Sequence, residues 1–266
     1  MPAPYTRISV LCPTYGRTKV LSELVESFRR QTYPAELREL VILNDRHDQT
    51  LHCDVPGVEV INTPIRYPTL GEKRNELLGL ATSNLVTFWD DDDIYLPNRL
   101  QRSIDLWPSH PLSPQREYRA SMESHLWYTD DGERLILQPA GHMHTMLVEK
   151  QAIKNAGGFP PEQMHQDVLL VKKLVENFWI KGEDNTPGMP TTIYRRGGTP
   201  YQHVSDLSPE PVFNEDASAY FMDLTDNKIA AGDEPTGTVT IVPRWSKDWL
   251  RLATQTWGQR ATPRNT

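Results

Sequence analysis

The sequence predicts an α/β fold with a mostly parallel central sheet flanked by helices. Three observations carry the expectation. Short, apolar, β-branched runs of strand length recur, each closed by turn-forming residues. Segments with apolar residues at helical spacing lie between them, and strands joined through helices run parallel with both faces covered. The length of 266 residues suits one large domain, or one domain with a small appendage.

The first strand is Arg7–Cys12 (RISVLC), closed by Pro13-Thr14-Tyr15-Gly16. Val20, Leu21, Leu24, Val25 and Phe28 follow at helical spacing with charges on the other face, and Tyr33-Pro34 ends the helix. A second strand, Leu40–Leu43, runs into Asn44-Asp45, and a third is the alternating Gly57–Asn62. A helix over Glu72–Ala81 places Leu77, Leu78 and Ala81 on one stripe; the strand Leu85–Trp89 then stops at Asp90-Asp91-Asp92-Asp93. Pro97 opens the next helix at its first position, where a missing N–H costs nothing. Leu106–Pro114, rich in Pro and Ser, reads as an exposed loop. Further strands are expected at Leu126–Thr129, Arg134–Leu137 and His144–Val148, and a short helix at Lys150–Asn155 before Gly157-Gly158-Phe159-Pro160. The helix Asp167–Phe178 carries Leu170, Val171, Leu174, Val175 and Phe178 on a strong apolar stripe.

Composition narrows the function classes. The 28 Lys+Arg against 35 Asp+Glu give a net charge of −7, which argues against coating nucleic acid by bulk charge. Two cysteines, Cys12 and Cys53, make neither a disulfide framework nor a thiolate zinc module, and no apolar run approaches bilayer length. These features point to a soluble, cytoplasmic protein without a membrane span. Charge divides sharply near the end: Ser205–Glu234 holds eight acids against Lys228, whereas Ile241–Thr266 holds five bases against Asp248, with Trp245, Trp249 and Trp257 interleaved. The expected organisation is a domain over 1–204, in two halves over 1–100 and 101–204. An extension over 205–266 follows, acidic and then basic and aromatic.

The four consecutive aspartates are the most informative feature. Adjacent carboxylates repel, so a fold that holds them at the end of a buried strand needs a cation or hydrogen bonds to compensate. The carboxyl ends of strands are also where open α/β sheets bind ligands. In extended backbone Asp90 and Asp92 point to one side and Asp91 and Asp93 to the other. Other clusters are incomplete: His142 and His144 at i, i+2, or His47, His52 and Cys53, lack a full zinc ligand set. Gly157-Gly158 fits a tight turn after a helix better than a phosphate loop. Trp245, Trp249 and Leu252 recur at helical spacing, which reads as packing on the main domain or as an aromatic acceptor platform.

Phe88-Trp89-Asp90-Asp91-Asp92-Asp93-Ile94-Tyr95-Leu96-Pro97-Asn98 resembles the acidic DXD segment of family 2 glycosyltransferases of the GT-A fold. Ile8–Tyr15 is similar to that family's opening strand and nucleotide loop, Gln31-Thr32-Tyr33-Pro34 to the end of its first helix, and Gly71–Asn75 to its segment ending in Arg-Asn. Gly157-Gly158-Phe159 followed by Gln166-Asp167 resembles its stretch before the catalytic acid, where the family often has Glu-Asp. The resemblance covers residues 7–180 in the family's order and extends to compact soluble relatives, phage-encoded ones among them, some of which glycosylate hydroxymethylated DNA bases.

The resemblance implies a GT-A-like fold and a metal-dependent inverting transfer from a nucleoside-diphosphate sugar, UDP-linked, to an acceptor hydroxyl on a glycan, a small molecule or modified DNA. It implies that Pro13, Thr14, Tyr15 and Asp45 line the base and ribose, and that Lys73, Arg74 and Asn75 reach the nucleotide sugar. Asp90 and Asp91 would contact the donor. Asp90, Asp92 and a late histidine, His203, would hold Mn²⁺ or Mg²⁺, and Asp167 would be the catalytic base. A base placed near the acceptor contributes roughly 10²–10⁴-fold. Two rivals are a sugar nucleotidyltransferase and a non-catalytic carbohydrate- or nucleic-acid-binding protein on the same fold.

Overall fold

The computed structural model of the chain describes residues 6–108, 118–140, 143–177, 179–181, 188–196 and 234–261. Its centre is a sheet of seven strands in the order β11-β7-β10-β5-β1-β2-β4. They are β1 (Ile8–Thr14), β2 (Arg38–Asn44), β4 (Val58–Asn62), β5 (Leu85–Phe88), β7 (Arg119–Met122), β10 (Met146–Glu149) and β11 (Trp179–Lys181). β5, β1, β2 and β4 run parallel; β10 is antiparallel to both its neighbours, and β11 is parallel to β7. The sheet is thus mostly parallel, as the alternation of strands and helices predicts.

Both faces are covered because residues alternate across each strand. Ile8, Val10 and Cys12 of β1, with Leu40 and Ile42 of β2, face helix α1 (Thr18–Arg29) through Leu21, Leu24, Val25 and Phe28. Leu11, Val41, Leu43, Val86 and Phe88 face the other way, onto α2 (Leu70–Leu80), α4 (Lys150–Asn155) and α5 (Gln166–Asn177). A second sheet, ordered β6-β12-β8-β9, comprises β6 (Ile94–Tyr95), β12 (Thr192–Arg195), β8 (His125–Thr129) and β9 (Ile136–Pro139).

Several boundaries differ from the sequence expectation, each for a local reason. The strand β1 runs on through Pro13 and Thr14, in register with Leu43 and Asn44. The helix α3 (Arg99–Asp105) begins after Asn98, and Pro97 stays outside it because its carbonyl accepts from Thr32 N (2.7 Å) and Thr32 Oγ1 (3.1 Å). Leu106 and Trp107 are buried rather than part of an exposed loop; residues 109–117 of that segment lie outside the described residues. His144 sits in a 3₁₀ turn, Met143–Thr145, that delivers the chain into β10, so it is not on a strand. β9 begins two residues later than expected, because Asp131 Oδ1 accepts from the backbone N–H of Glu133 and Arg134 and holds a turn there. On α5 the stripe narrows to Leu170, Val171 and Leu174, with Val175 exposed. Gly157 (φ +89°) and Gly158 (φ +75°) close α4: their N–H groups donate to Lys154 O (3.0 Å) and Ile153 O (2.9 Å), the paired bonds of a left-handed helix stop.

The C-terminal residues add to this frame. β13 (Gly237–Thr240) pairs in parallel with β3 (Gln49–His52), a strand too short and mixed to be read locally. The last helix, α6 (Trp249–Ala261), buries Trp249 and Ala253 against Trp127 and Ile193 of the second sheet. This explains why Glu23 and Glu26, placed by sequence on a polar face of α1, are buried. Ser246 N (2.8 Å) and Oγ (2.6 Å) donate to Glu23, and Arg29 and Arg30 hold Glu26. Trp249 is fully buried and Trp245 Nε1 donates to Ser27 Oγ (3.0 Å), so packing accounts for both tryptophans.

Candidate active site

The parallel strands β5, β1 and β2 lie side by side, so the residues following their carboxyl ends converge: Tyr15 after β1, Asp45 after β2 and the aspartate run after β5. Pro13, Thr14, Tyr15, Asp45, Lys73 and Asp91 line one cleft at this edge. Arg17, Arg66, Tyr67, Thr69, Leu70 and Gln163 complete its wall. The helix α2 is aimed into it by a side-chain cap, Thr69 Oγ1 accepting from Glu72 N (3.2 Å). Gly71 is required beside it, since a Cβ there would meet Pro160 O at 1.8 Å.

At the floor, Lys73 Nζ donates to Thr14 O (2.5 Å) and to the Asp45 carboxylate, whose Oδ2 also accepts from Tyr67 N (3.1 Å). Burial pushes the Lys73 ammonium below its usual range, opposed by Asp45. Above it, the Arg66 guanidinium lies over the Tyr15 ring at 4.0 Å from its centroid.

The aspartate run does not extend. Asp93 N bonds back to Asp90 O (3.3 Å), so the run turns, and the expected alternation of sides is lost. Asp91, Asp92 and Asp93 are buried; the first two share Arg17 and the third turns to Arg195. Asp91 accepts from Thr14 Oγ1 (2.6 Å) and from Arg17 through both oxygens; Asp92 Oδ2 takes Arg17 Nη1 (2.8 Å). Asp93 Oδ1 accepts from Arg195 N (3.0 Å). Asp90 Oδ1 takes Arg74 Nη2 (2.6 Å), while Arg74 Nη1 reaches Gln166 Oε1 (2.8 Å). Burial works against the Asp90 carboxylate, but Arg74 and His144 outweigh it and hold its pKa below the ordinary value. Burial, joined by Asp92 and Asp90, pushes Asp93 far above its ordinary value.

One atom each from Asp90, Asp93 and His144 lie within 4.8 Å of one another, the one such group of three among the described residues. Asp93 Oδ2 is buried and has no hydrogen-bond partner among them. The His144 ring stacks on Tyr194, with centroids 5.5 Å apart and planes 6° from parallel. Two carboxylates and an imidazole suit Mn²⁺, and a divalent ion would satisfy the orphaned oxygen, so the residues present fit the expected metal.

The structure brings Pro13, Thr14, Tyr15, Asp45, Lys73 and Asp91 into one cleft, and Arg74 and Asp90 into contact beside it. Asp92 faces Arg17 rather than the Asp90, Asp93 and His144 group. Asn75 is engaged elsewhere: its amide donates to Phe159 O (2.9 Å) and accepts from Phe159 N (2.8 Å), bracing the turn at Gly158. His203 lies outside the described residues, as does His142. Asp167 stands in the first turn of α5 and acts electrostatically on Arg74 and Asp90. His165, two residues before it, holds a left-handed backbone (φ +60°), a conformation non-glycine residues adopt mainly where structure or function demands it. Arg17, Arg66, Gln163, Asp93 and His144 were not among the expected site residues. Asp93 carried a sequence signal as the last of the run, and His144 only as half of an incomplete pair with His142; Arg17, Arg66 and Gln163 reach the cleft by tertiary contacts.

Comparison with known proteins agrees with the geometry. The chain is 26% identical over 110 residues to UDP-Glc:alpha-D-GlcNAc-diphosphoundecaprenol beta-1,3-glucosyltransferase WfgD of Escherichia coli, a match covering 40% of this chain and 43% of WfgD. Among solved structures it resembles S. aureus TarS 1-349 in complex with UDP-GlcNAc (TM-score 0.57, 17% identity, 86% of this chain and 68% of that one). It also resembles the mannosyltransferase PcManGT from Pyrobaculum calidifontis in complex with GDP-Man and Mn²⁺ (TM-score 0.52, 14% identity, 86% and 72%). The chain thus spans less than half the length of WfgD, and the structural likenesses bear on the fold, which is GT-A-like. No described helix is long and apolar enough to cross a membrane. The family model for Glycosyl transferase family 2 matches residues 9–156, more than half of the chain, and the chain belongs to that family.

Proposed function

We propose that this chain transfers a sugar from a UDP-linked donor to an acceptor hydroxyl with inversion, using Mn²⁺ or Mg²⁺. The observation that carries the reading is the joining of two features at one sheet edge. A cleft lined by Tyr15, Asp45 and Lys73 lies there, and a buried acidic turn beside it carries an unsatisfied carboxylate oxygen. Asp45, a buried carboxylate whose oxygens retain lone pairs, is the acceptor for base N–H groups. Lys73 holds it in place, while Tyr15 offers a face to the base. TarS is solved in complex with UDP-GlcNAc and WfgD is a UDP-Glc glucosyltransferase, which supports the choice of uridine.

Asp90, Asp93 and His144 would hold the ion, with Asp92 adjacent and His203 a further candidate. A bound divalent ion offsets several kcal/mol of charge developing on the departing diphosphate. Arg74 lies between Asp90 and Gln166 and couples the acidic turn to the start of α5. At that start Asp167 takes the acceptor's proton as its oxygen bonds the anomeric carbon; the bond from that carbon to the phosphate oxygen breaks, and attack from the opposite face inverts the centre. We assign residues 1–100 to donor binding, 101–204 to the acceptor side and 205–266 to an extension.

Asp167→Asn tests this reading. It should keep UDP affinity within about threefold and lose about 10²-fold or more in transfer. Full activity in that variant would remove Asp167 from the mechanism. Pyrophosphate release from UTP and a sugar phosphate would favour a nucleotidyltransferase, and no hydrolysis of any UDP-sugar with Mn²⁺ a binding protein. Glycans and hydroxymethylated DNA are the acceptors to compare.

A further inference from the structure

Arg17 and Arg66 are cations of the cleft that the reading above does not employ, and of the two it is Arg17 that bonds the aspartate run. It follows Gly16, whose left-handed backbone (φ +73°) is packed so closely that a Cβ would meet Arg46 Cδ at 2.5 Å. The next residue, Thr18, is pinned from the C-terminal segment: its N (2.8 Å) and Oγ1 (2.6 Å) both donate to Glu234. The loop holding Arg17 is therefore fixed from both sides. From it the guanidinium reaches Asp91 through Nε (3.3 Å) and Nη2, and Asp92 through Nη1 (2.8 Å). These bonds use three of its five N–H donors and leave two. Its side chain is 24% exposed and lines the donor cleft, whereas the carboxylates it holds are almost wholly buried.

A guanidinium bridging two buried carboxylates does electrostatically what a divalent cation does. We propose that Arg17 is a resident cation that competes with the divalent ion for the acidic turn and is drawn off it by the donor's diphosphate, so that metal and nucleotide bind together rather than separately. The inference rests on the nucleotide-sugar reading of the cleft. The diphosphate offers acceptors to the two unused N–H groups, and as the guanidinium turns towards them the Asp92 carboxylate is released to the ion. Metal affinity is thus low until donor arrives. Linkage requires the converse, that metal tightens donor binding by the same factor.

The test is Mn²⁺ titration, followed by electron paramagnetic resonance of the free ion, on wild type, Arg17→Gln and Arg17→Lys, each with and without saturating UDP. UDP binding is measured alongside in EDTA and in Mn²⁺. Without nucleotide, Arg17→Gln should bind Mn²⁺ about tenfold more tightly than wild type, because one positive charge beside the turn is gone. UDP should then improve Mn²⁺ binding by a smaller factor in the variant than in wild type. Arg17→Lys, a single ammonium that cannot bridge two carboxylates, should fall between, and it decides the matter if Arg17→Gln lacks the native circular dichroism spectrum. Equal or weaker Mn²⁺ binding in the folded variants, or an unchanged UDP effect, would overturn the inference while leaving the donor reading intact. Failure of wild type to bind UDP under any condition would instead remove the donor reading, and the inference with it.

Discussion

Lys73→Met tests how much of the cleft's stability and function rests on one buried ion pair. Lys73 and Asp45 are 5% and 3% exposed, and the ammonium also holds Thr14 O at 2.5 Å. Methionine preserves the length and volume of the side chain and removes the charge, leaving Asp45 buried with the N–H of Tyr67 (3.1 Å) still donating to it. Removing one partner of a buried pair costs about 3–5 kcal/mol. Asp45 can escape part of this by taking a proton, which places the expected loss near the lower end, about 3 kcal/mol. At about 2–4 °C per kcal/mol for a chain of this size, the melting temperature should fall by about 6–12 °C. Urea denaturation at pH 7.5 without nucleotide gives the free energy directly. Asp45→Asn combined with Lys73→Met removes the stranded charge and should recover part of the loss, although UDP binding should remain weak in both. A loss under about 1 kcal/mol for Lys73→Met would refute the claim that the pair is a desolvated, mutually dependent unit.

Two further outcomes concern the acidic turn and its support. The folded pKa of Asp93 is raised, so its neutral form contributes stability that is complete below the unfolded value and is lost as pH rises through the folded one. Asp93→Asn should therefore stabilise the protein in EDTA by about 1–2 kcal/mol at pH 7.5, with the advantage shrinking towards pH 4, and should weaken Mn²⁺ binding. A pH-independent difference in urea denaturation would contradict this. Trp249→Ala removes a fully buried indole beneath the second sheet and should cost about 3–5 kcal/mol, read in the same assay, with a loss below about 1 kcal/mol showing that α6 is dispensable.

What the sequence makes legible follows from how far apart the interacting residues lie. The strands β1, β2, β4 and β5, and the positions of Asp45 and the aspartate run after β2 and β5, depend on local period and on strand termination, so they can be read directly, whereas Lys73, near the start of α2, is singled out by the family resemblance. β3 cannot, because its partner is β13, nearly 190 residues later, and the pairing supplies what its mixed composition lacks. Likewise the charges of α1 look solvent-facing until Ser246, Trp249 and Arg195 arrive at Glu23. Within the site, Asn75 belongs to a motif that implies contact with the donor, yet its amide is engaged by Phe159. His144 and Arg17 enter through a 3₁₀ turn and a loop whose directions no periodicity encodes.

The burial of four adjacent carboxylates becomes intelligible once their partners are assigned. Arg74 neutralises Asp90, and Arg17 is shared between Asp91 and Asp92. The guanidinium of Arg195 is tied to Glu23 and to the carbonyl of Asp92, so its charge only partly opposes the rise at Asp93, which also accepts the Arg195 backbone N–H. Two negative charges are left unbalanced, the amount one divalent cation would cancel. Without such a cation the imbalance must be met by protonation, and the upward shifts of Asp91 and Asp93 are in that direction. A fold that only needed to end a strand would not bury such a cluster, because apolar residues in its place would be at least as stable. The surplus charge, held beside a cleft with Asp45 and Lys73 at its floor, is the feature on which the proposed cation-assisted departure of a diphosphate draws.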